Sequence, residues 1–234
     1  MKPLFSGPER AIYVQKVFIR VAEHYDCMNR LMTGGQDVPW RREAIRRTRI
    51  GANERLLDLG TGTGDLAREA LRQQSSVRVS AADFTLKMMT VGQQRGELPF
   101  LAADALRLPF KEAAFDAVVS GFLMRNVSDL AGALAEQYRV LRAGGKIVIL
   151  ETTRPQRNLW SPLVWLHMHL GIPLLGGLVS GFREGYQYLP DSSEQFLRAE
   201  ELAEKMAQAG FREVGFQRRM AGTIAIHWGI KPLS

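Results

Sequence analysis

The chain has 234 residues, 46% of them apolar and 24% charged, with a formal net charge of +7 and one cysteine. That length suits one large domain able to bury about 70% of its unfolded surface, and the composition excludes a disordered chain or a fibre. The lone Cys27 excludes an internal disulfide framework and a four-cysteine zinc site, and the opening MKPLFSGPERAIY carries no apolar signal core, which predicts a cytoplasmic protein.

The chain opens on one apolar stripe. Val14, Val17, Phe18, Val21, Tyr25, Met28 and Met32 recur at helical spacing, so a helix is predicted, stopped by Gly34-Gly35. Residues 1–50 hold ten Lys/Arg against five Asp/Glu and so carry +5 of the net charge. Arg41, Arg42, Arg46, Arg47 and Arg49 crowd together there, a patch suited to phosphates or anionic headgroups, or else a solvated helix face.

From residue 55 short apolar runs alternate with helical ones. Strands are predicted at 55–60, 77–83, 100–104, 115–120 and 146–151, and helices at 64–74, 85–95 and 129–142. This alternation implies a parallel sheet covered on both faces. Residues 159–182 then run for 24 positions without a charged side chain, close to the roughly 20 that cross a bilayer. Pro162, Pro173 and four glycines interrupt the run, so it reads as an apolar cap insertion or a membrane-touching surface, with a core helix pair as the plain alternative. A helix over about 192–209 and strands at 211–219 and 222–230, joined near Ala221-Gly222, close the chain.

The sharpest local signal is Asp58-Leu59-Gly60-Thr61-Gly62-Thr63-Gly64, where an apolar strand meets three alternating glycines and then a helix. Glycine lets the backbone turn tightly and approach a ligand, and a helix N-terminus offers unpaired N–H groups. By itself this is equally a tight strand–helix connection. Its G-x-G-x-G spacing is not that of dinucleotide binders, and with the preceding acid it resembles the first motif of class I S-adenosylmethionine-dependent methyltransferases. Asp83 ends the second predicted strand, placed to take a ribose diol, and Asp104-Ala105 ends the third, where such enzymes hold the adenine edge. Gly121 follows the fourth, and the expected cofactor set is Asp58, Gly60, Gly62, Thr63, Gly64, Asp83, Asp104, Ala105 and Gly121. The N-P-P-Y type sequence of base-methylating enzymes is absent after the fourth strand, so no nucleic-acid partner is expected.

Beyond these motifs, nearly the whole chain resembles the menaquinone and ubiquinone biosynthesis C-methyltransferases, the UbiE/MenG family. Four blocks in order carry the likeness. They are Val17-Phe18 through Tyr25-Asp26, Asn29, Met32-Thr33 and Trp40-Arg41; Arg125-Asn126-Val127; Tyr186-x-Tyr188-Leu189-x-x-Ser192; and Gly222 through His227 to Lys231. Two departures stand out. Gly121-Phe122-Leu123-Met124 replaces the family's serine, phenylalanine, glycine and leucine, and Gly60-Thr61-Gly62 is nearer the general methyltransferase pattern.

The resemblance implies a Rossmann-like α/β fold: a mostly parallel seven-stranded sheet with helices on both faces and an antiparallel C-terminal strand. It implies one methyltransferase domain over 1–234, with an N-terminal helical cap over 1–50 and the cap insertion at 159–182. It implies methyl transfer from S-adenosylmethionine to a ring carbon of a lipid-tailed quinol, with no metal. Arg125 and Asn126 are the expected catalytic residues, Arg125 steadying a phenolate or ordering a water. The alternative for Arg125 is an ion pair tying the strand to the N-terminal helix. Tyr25, Tyr186, Tyr188 and His227 are expected to bind the acceptor, though Tyr25 and His227 read equally as core residues. Peripheral contact with an anionic membrane surface follows from the lipid tail. A homodimer or a quinone-biosynthesis complex, another small aromatic or lipid acceptor, and a non-catalytic quinone-binding subunit stay open.

Overall fold

The structure, a computed structural model, describes residues 7–154 and 192–233 and, between them, residues 162, 166–171 and 174. Three helices come first: α1 (Gly7–Val21), α2 (Tyr25–Thr33) and α3 (Asp37–Thr48). Then follow β1 (Arg55–Leu59), α4 (Asp65–Gln73), β2 (Arg78–Asp83), α5 (Leu86–Gln93), β3 (Phe100–Ala102) and β4 (Phe115–Gly121). The series continues with α6 (Leu130–Val140), β5 (Leu141–Thr152), α7 (Ala199–Gln208), β6 (Arg212–Arg219) and β7 (Ile224–Ile230).

The opening stripe is thus two helices. A turn over residues 22–24 separates α1 from α2, and Gly34, left-handed at φ 57°, ends α2 by donating its N–H to the Arg30 and Leu31 carbonyls. The arginine-rich stretch forms α3, whose Trp40, Ala44 and Ile45 are buried. β5 begins earlier than its apolar run because Leu141 pairs with Phe115 before a register shift restores Ala117 opposite Lys146. Of the apolar insertion, residues 167–171 form one π-helical turn, and the rest of 159–182 lies almost wholly outside the described residues.

The strands form one seven-stranded sheet ordered β3-β2-β1-β4-β5-β7-β6, parallel through β5, with β7 antiparallel to both neighbours. Successive strand side chains point to opposite faces and build two cores. Leu57, Leu59, Val118, Ile147 and Ile149 pack with residues of α6 and α7, such as Leu134, Leu202 and Met206. Leu56, Ala117, Val119, Val148 and Leu150 pack with Trp40, Ile45, Leu66 and Ala70 of α3 and α4. The strand order reverses between β1 and β4, which opens a crevice at their carboxyl ends. No helix among the described residues is long and apolar enough to cross a membrane.

Candidate functional site

The crevice is built on the loop from β1 to α4. Gly60, Gly62 and Gly64 have φ of 68°, 58° and 91°, left-handed values that any β-carbon would strain, which is why three glycines alternate here. The N–H groups of Gly60 and Thr61 donate to the Ala82 carbonyl at 2.8 and 3.0 Å and lash the loop to β2. Asp58 lies beneath, fully buried, its Oδ2 accepting from the Thr61 hydroxyl at 2.6 Å and the Ala67 N–H at 2.9 Å. Its Oδ1 has no partner among the described residues, and burial pushes the carboxyl up to about 7.

Asp83 ends β2 with its carboxylate in the crevice. Gly62 N–H donates to Oδ2 and Thr85 N–H to Oδ1, both at 2.7 Å, and with the Thr85 hydroxyl and the Phe84 N–H they aim the group. Burial pushes its pKa up against these bonds. Asp104 follows β3, its Oδ1 held by the Leu106 N–H at 2.9 Å. Around these residues runs a cleft of about 900 Å³, counting its solvent-filled mouth. Leu59, Gly60 and Gly62, then Asp83–Thr85, then Ala103–Leu106 and Gly121–Leu123 line the strand side. Ala11, Val14, Gln15, Phe18 and Tyr25 of α1 and α2 also line it.

Of the expected residues, Gly60, Gly62, Asp83, Asp104, Ala105, Gly121, Asn126 and Tyr25 therefore meet in one cleft. Asp58, Thr63, Gly64 and Arg125 stand behind its lining. Tyr186 and Tyr188 lie outside the described residues. His227 is not in the cleft lining at all. It sits on β7, 1% exposed, with Nε2 donating to the Ala199 carbonyl at 2.9 Å and its ring against Phe216. Burial pushes it down to about 4, so it is a neutral structural group between β7 and α7.

Arg125, expected to steady a phenolate or order a water, is not among the residues that line the cleft. It is 4% exposed and ion-paired with Glu151, the next-to-last residue of β5, which is 0% exposed. Glu151 also accepts the Arg125 N–H at 3.2 Å. The tie to the N-terminal helix exists, but through the backbone, where the Arg10 guanidinium donates to the Arg125 carbonyl. Asn126 is likewise engaged: its Nδ2 donates to the Phe122 carbonyl at 2.9 Å and closes a turn after β4. Phe122 at the head of that turn has φ 58°, a conformation that costs a non-glycine residue about 1–2 kcal/mol.

A charged network joins the N-terminal helices to the glycine loop. The Thr63 hydroxyl donates to Asp26 Oδ1 of α2 at 2.7 Å, and Arg95 pairs with both Asp26 and Asp65, the latter at 2.8 Å. Arg41 reaches Asp37 and Asp65, and Arg30 reaches Asp37. Burial raises the Asp26 pKa, while Arg41 and Arg95 hold Asp65 low despite its burial. The arginine patch is thus divided, with Arg41 inside the fold and Arg42, Arg46 and Arg49 exposed on its surface. Arg41 is buried in this network, Arg46 and Arg47 pair with Glu43, and Arg47 also lies 3.7 Å over the Trp228 ring.

Sequence reasoning missed Phe84, Thr85 and Met88, which line the cleft just after Asp83, and the supporting Glu151, Asp26 and Arg95. The carboxylate closing the apolar run KIVILE was a legible signal, because a charge ending a buried strand needs a partner.

A model of the ubiE/COQ5 methyltransferase family matches residues 7–231. Among curated relatives, the ubiquinone/menaquinone biosynthesis C-methyltransferase UbiE of Desulfotalea psychrophila is 41% identical over 221 residues, covering 93% of this chain and 90% of that protein. The demethylmenaquinone methyltransferase of Thermus thermophilus is 41% identical, covering 92% of this chain and all of that protein. A SAM-dependent methyltransferase of Thermotoga maritima has a similar structure, with a TM-score of 0.63, 20% identity and coverage of 93% and 99% of the two chains, a likeness of fold alone.

Proposed function

Because this chain belongs to the ubiE/COQ5 methyltransferase family, we propose that it transfers a methyl group from S-adenosylmethionine to a ring carbon of a lipid-tailed hydroquinone in quinone biosynthesis. The observation that carries the reading is the row formed by Asp104-Ala105, Asp83, Gly60–Gly62 and Gly121 at the ends of four neighbouring strands, all in one cleft. Three strand spacings of about 4.8 Å make that row roughly 14 Å long.

The row fits an elongated nucleoside with an amino-acid tail. Asp83 offers a carboxylate for a ribose diol, Asp104-Ala105 a carboxylate and a backbone N–H for the adenine edge, and the Gly60–Gly62 turn a backbone that the tail can approach. Bound there, S-adenosylmethionine supplies an electrophilic methyl group on a sulfonium.

The apolar end of the cleft, with Phe18, Tyr25, Phe122, Leu123 and Val127, takes the flat acceptor ring and excludes water from it. A ring hydroxyl ordinarily loses its proton near pH 10, so a nearby positive field favours the electron-rich phenolate. Arg125 supplies that field from behind Phe122 and Asn126, its guanidinium 5.5 Å from the Phe122 ring. The same field, with that of Arg41, favours ionised Tyr25, whereas burial raises the Tyr25 pKa overall. Tyr25 is accordingly a neutral donor facing the ring, and Arg125 acts on the acceptor at one remove.

A lipid-tailed acceptor also calls for contact with the bilayer. On α1, Ile12, Lys16 and Ile19 share the solvent face, exposed Phe84 lines the cleft, and Leu86, two residues on, is exposed as well. This apolar and basic face is suited to an anionic membrane surface.

The test is methyl transfer from labelled S-adenosylmethionine to chemically reduced demethylmenaquinol and to a demethylated ubiquinol precursor. Labelled quinone from either, with at least tenfold weaker cofactor binding in Asp83→Ala, is the expected result. Cofactor binding without product from either quinol would overturn the reading.

A further inference from the structure

The turn after β4 shows an unusual concentration of constraints for five residues. Phe122 is left-handed, its N–H donates to the Leu150 carbonyl at 2.8 Å, and its own carbonyl is fastened by the Asn126 side chain. The Asn126 N–H donates to the Leu123 carbonyl at 2.8 Å and closes the turn from the other side. Backbone strain of this kind persists only where the surroundings over-determine it, and it gathers at sites whose geometry matters. Its local result is the placement of Leu123. The kink turns this side chain across the first glycine of the cofactor loop, so that a β-carbon on Gly60 would lie 2.9–3.1 Å from three Leu123 carbons.

Leu123 therefore stands in the cleft at the point where the β1 and β4 ends meet. Phe18 and Tyr25, edge to face with centroids 5.7 Å apart, line the same cleft from α1 and α2. A branched aliphatic side chain and two aromatic rings thus line one cleft, and bulky apolar walls favour an acceptor that is thin. A fused second ring extends an aromatic acceptor within its own plane. Alkoxy groups on neighbouring ring carbons crowd one another and turn out of the plane, so they thicken it.

Resting on the quinol reading above, we propose that Leu123 is the specificity-determining residue, selecting flat, fused-ring hydroquinones over alkoxy-substituted single-ring ones, and that Asn126 is its positioning residue. Asn126 acts by holding Phe122 in the kink that aims Leu123, not by touching the reacting atoms. Removing three carbons from the cleft wall opens room for the out-of-plane substituents. The discrimination that one or two methylene-sized contacts provide is about 10–200-fold, which sets the expected scale.

The experiment compares wild type, Leu123→Ala and Asn126→Asp. In each, kcat/KM is measured for a reduced fused-ring naphthoquinol and a reduced dimethoxy-benzoquinol carrying the same short prenyl tail. In parallel, dissociation constants of the two oxidised quinones are measured on protein saturated with S-adenosylhomocysteine, with S-adenosylhomocysteine affinity itself read by calorimetry. Wild type is expected to favour the fused ring at least tenfold in both readouts. Leu123→Ala is expected to cut that preference tenfold or more while binding S-adenosylhomocysteine within threefold of wild type. Asn126→Asp, which removes the donor to the Phe122 carbonyl, is expected to relax the preference in the same direction. A wild type with no preference, or an unchanged ratio in Leu123→Ala, overturns the inference and leaves the methyltransferase reading standing. A wild type that methylates neither quinol overturns both.

Discussion

Replacing Asp58 by asparagine is expected to stabilise the ligand-free protein at alkaline pH relative to acid pH. The Asp58 carboxyl is fully buried beneath the glycine loop, and burial lifts it from the usual 3.8 to about 7. Between those values the folded protein keeps a proton that the unfolded chain has lost, so stability falls as pH rises through the window. The whole penalty is about 4 kcal/mol, because each pKa unit is worth about 1.4 kcal/mol. Some of it has already accrued at pH 5, where the unfolded carboxyl is largely ionised. The part falling between pH 5 and pH 8 is about 3 kcal/mol. Asparagine keeps an acceptor oxygen for the Thr61 hydroxyl and the Ala67 N–H but cannot ionise. Urea unfolding of both proteins at half-unit steps from pH 5 to pH 8, without cofactor, measures the effect. The stability of the variant relative to wild type is expected to rise by about 3 kcal/mol across the series, with m-values unchanged. A stability difference that stays constant with pH, or shrinks toward pH 8, would refute the assignment of a proton to Asp58 at neutrality.

Further outcomes follow from the same contacts. Arg125→Met and Glu151→Leu are each expected to cost about 3–5 kcal/mol, because either leaves a buried charge unmatched, while the double variant regains most of the loss. Additive losses in denaturant unfolding would contradict that pairing, and a stable double variant with low kcat shows the catalytic share of the pair. His227→Gln is expected to flatten the acid limb of stability. Wild-type His227, held down to about 4 against 6.5 unfolded, loses up to about 3 kcal/mol as pH falls from 6.5 through 4, and glutamine does not. Identical acid limbs by circular dichroism would refute this. Asp26→Ala removes the acceptor of the Thr63 hydroxyl and a partner of Arg95, so amide exchange in α2 is expected to quicken and S-adenosylhomocysteine to bind more weakly. Unchanged protection in α2 would show that the network does not hold the N-terminal helices down. Paired Ile12→Asp and Ile19→Asp changes are expected to abolish salt-sensitive co-sedimentation with anionic liposomes, and retained binding would move the membrane face elsewhere.

Much of this protein is legible in the chain because the signals are local. Short apolar runs and period-3.6 patterns placed β1 to β4 and α4 to α6 within a few residues, and the second half of β5, since a strand buried on both faces and a helix buried on one are written in these ways. The glycine loop, Asp83 and Asp104 were readable for the same reason: each is the residue its own strand end requires. Local pattern failed where partners came from far away. The break over residues 22–24 interrupts an unbroken apolar stripe, and nothing in the arginine cluster announced that Arg41 would be buried between Asp37 and Asp65. Arg125 meets Glu151 across 26 residues, and His227 meets Ala199 across 28. Whether a charged or titratable side chain faces a ligand or another side chain depends on which strands lie next to each other, and strand order is a property of the whole sheet. The residue types able to do the chemistry are thus set by the sequence itself. Tertiary packing alone decides which of them line the cleft, which hold it from behind, and how Leu123 comes to lie across Gly60.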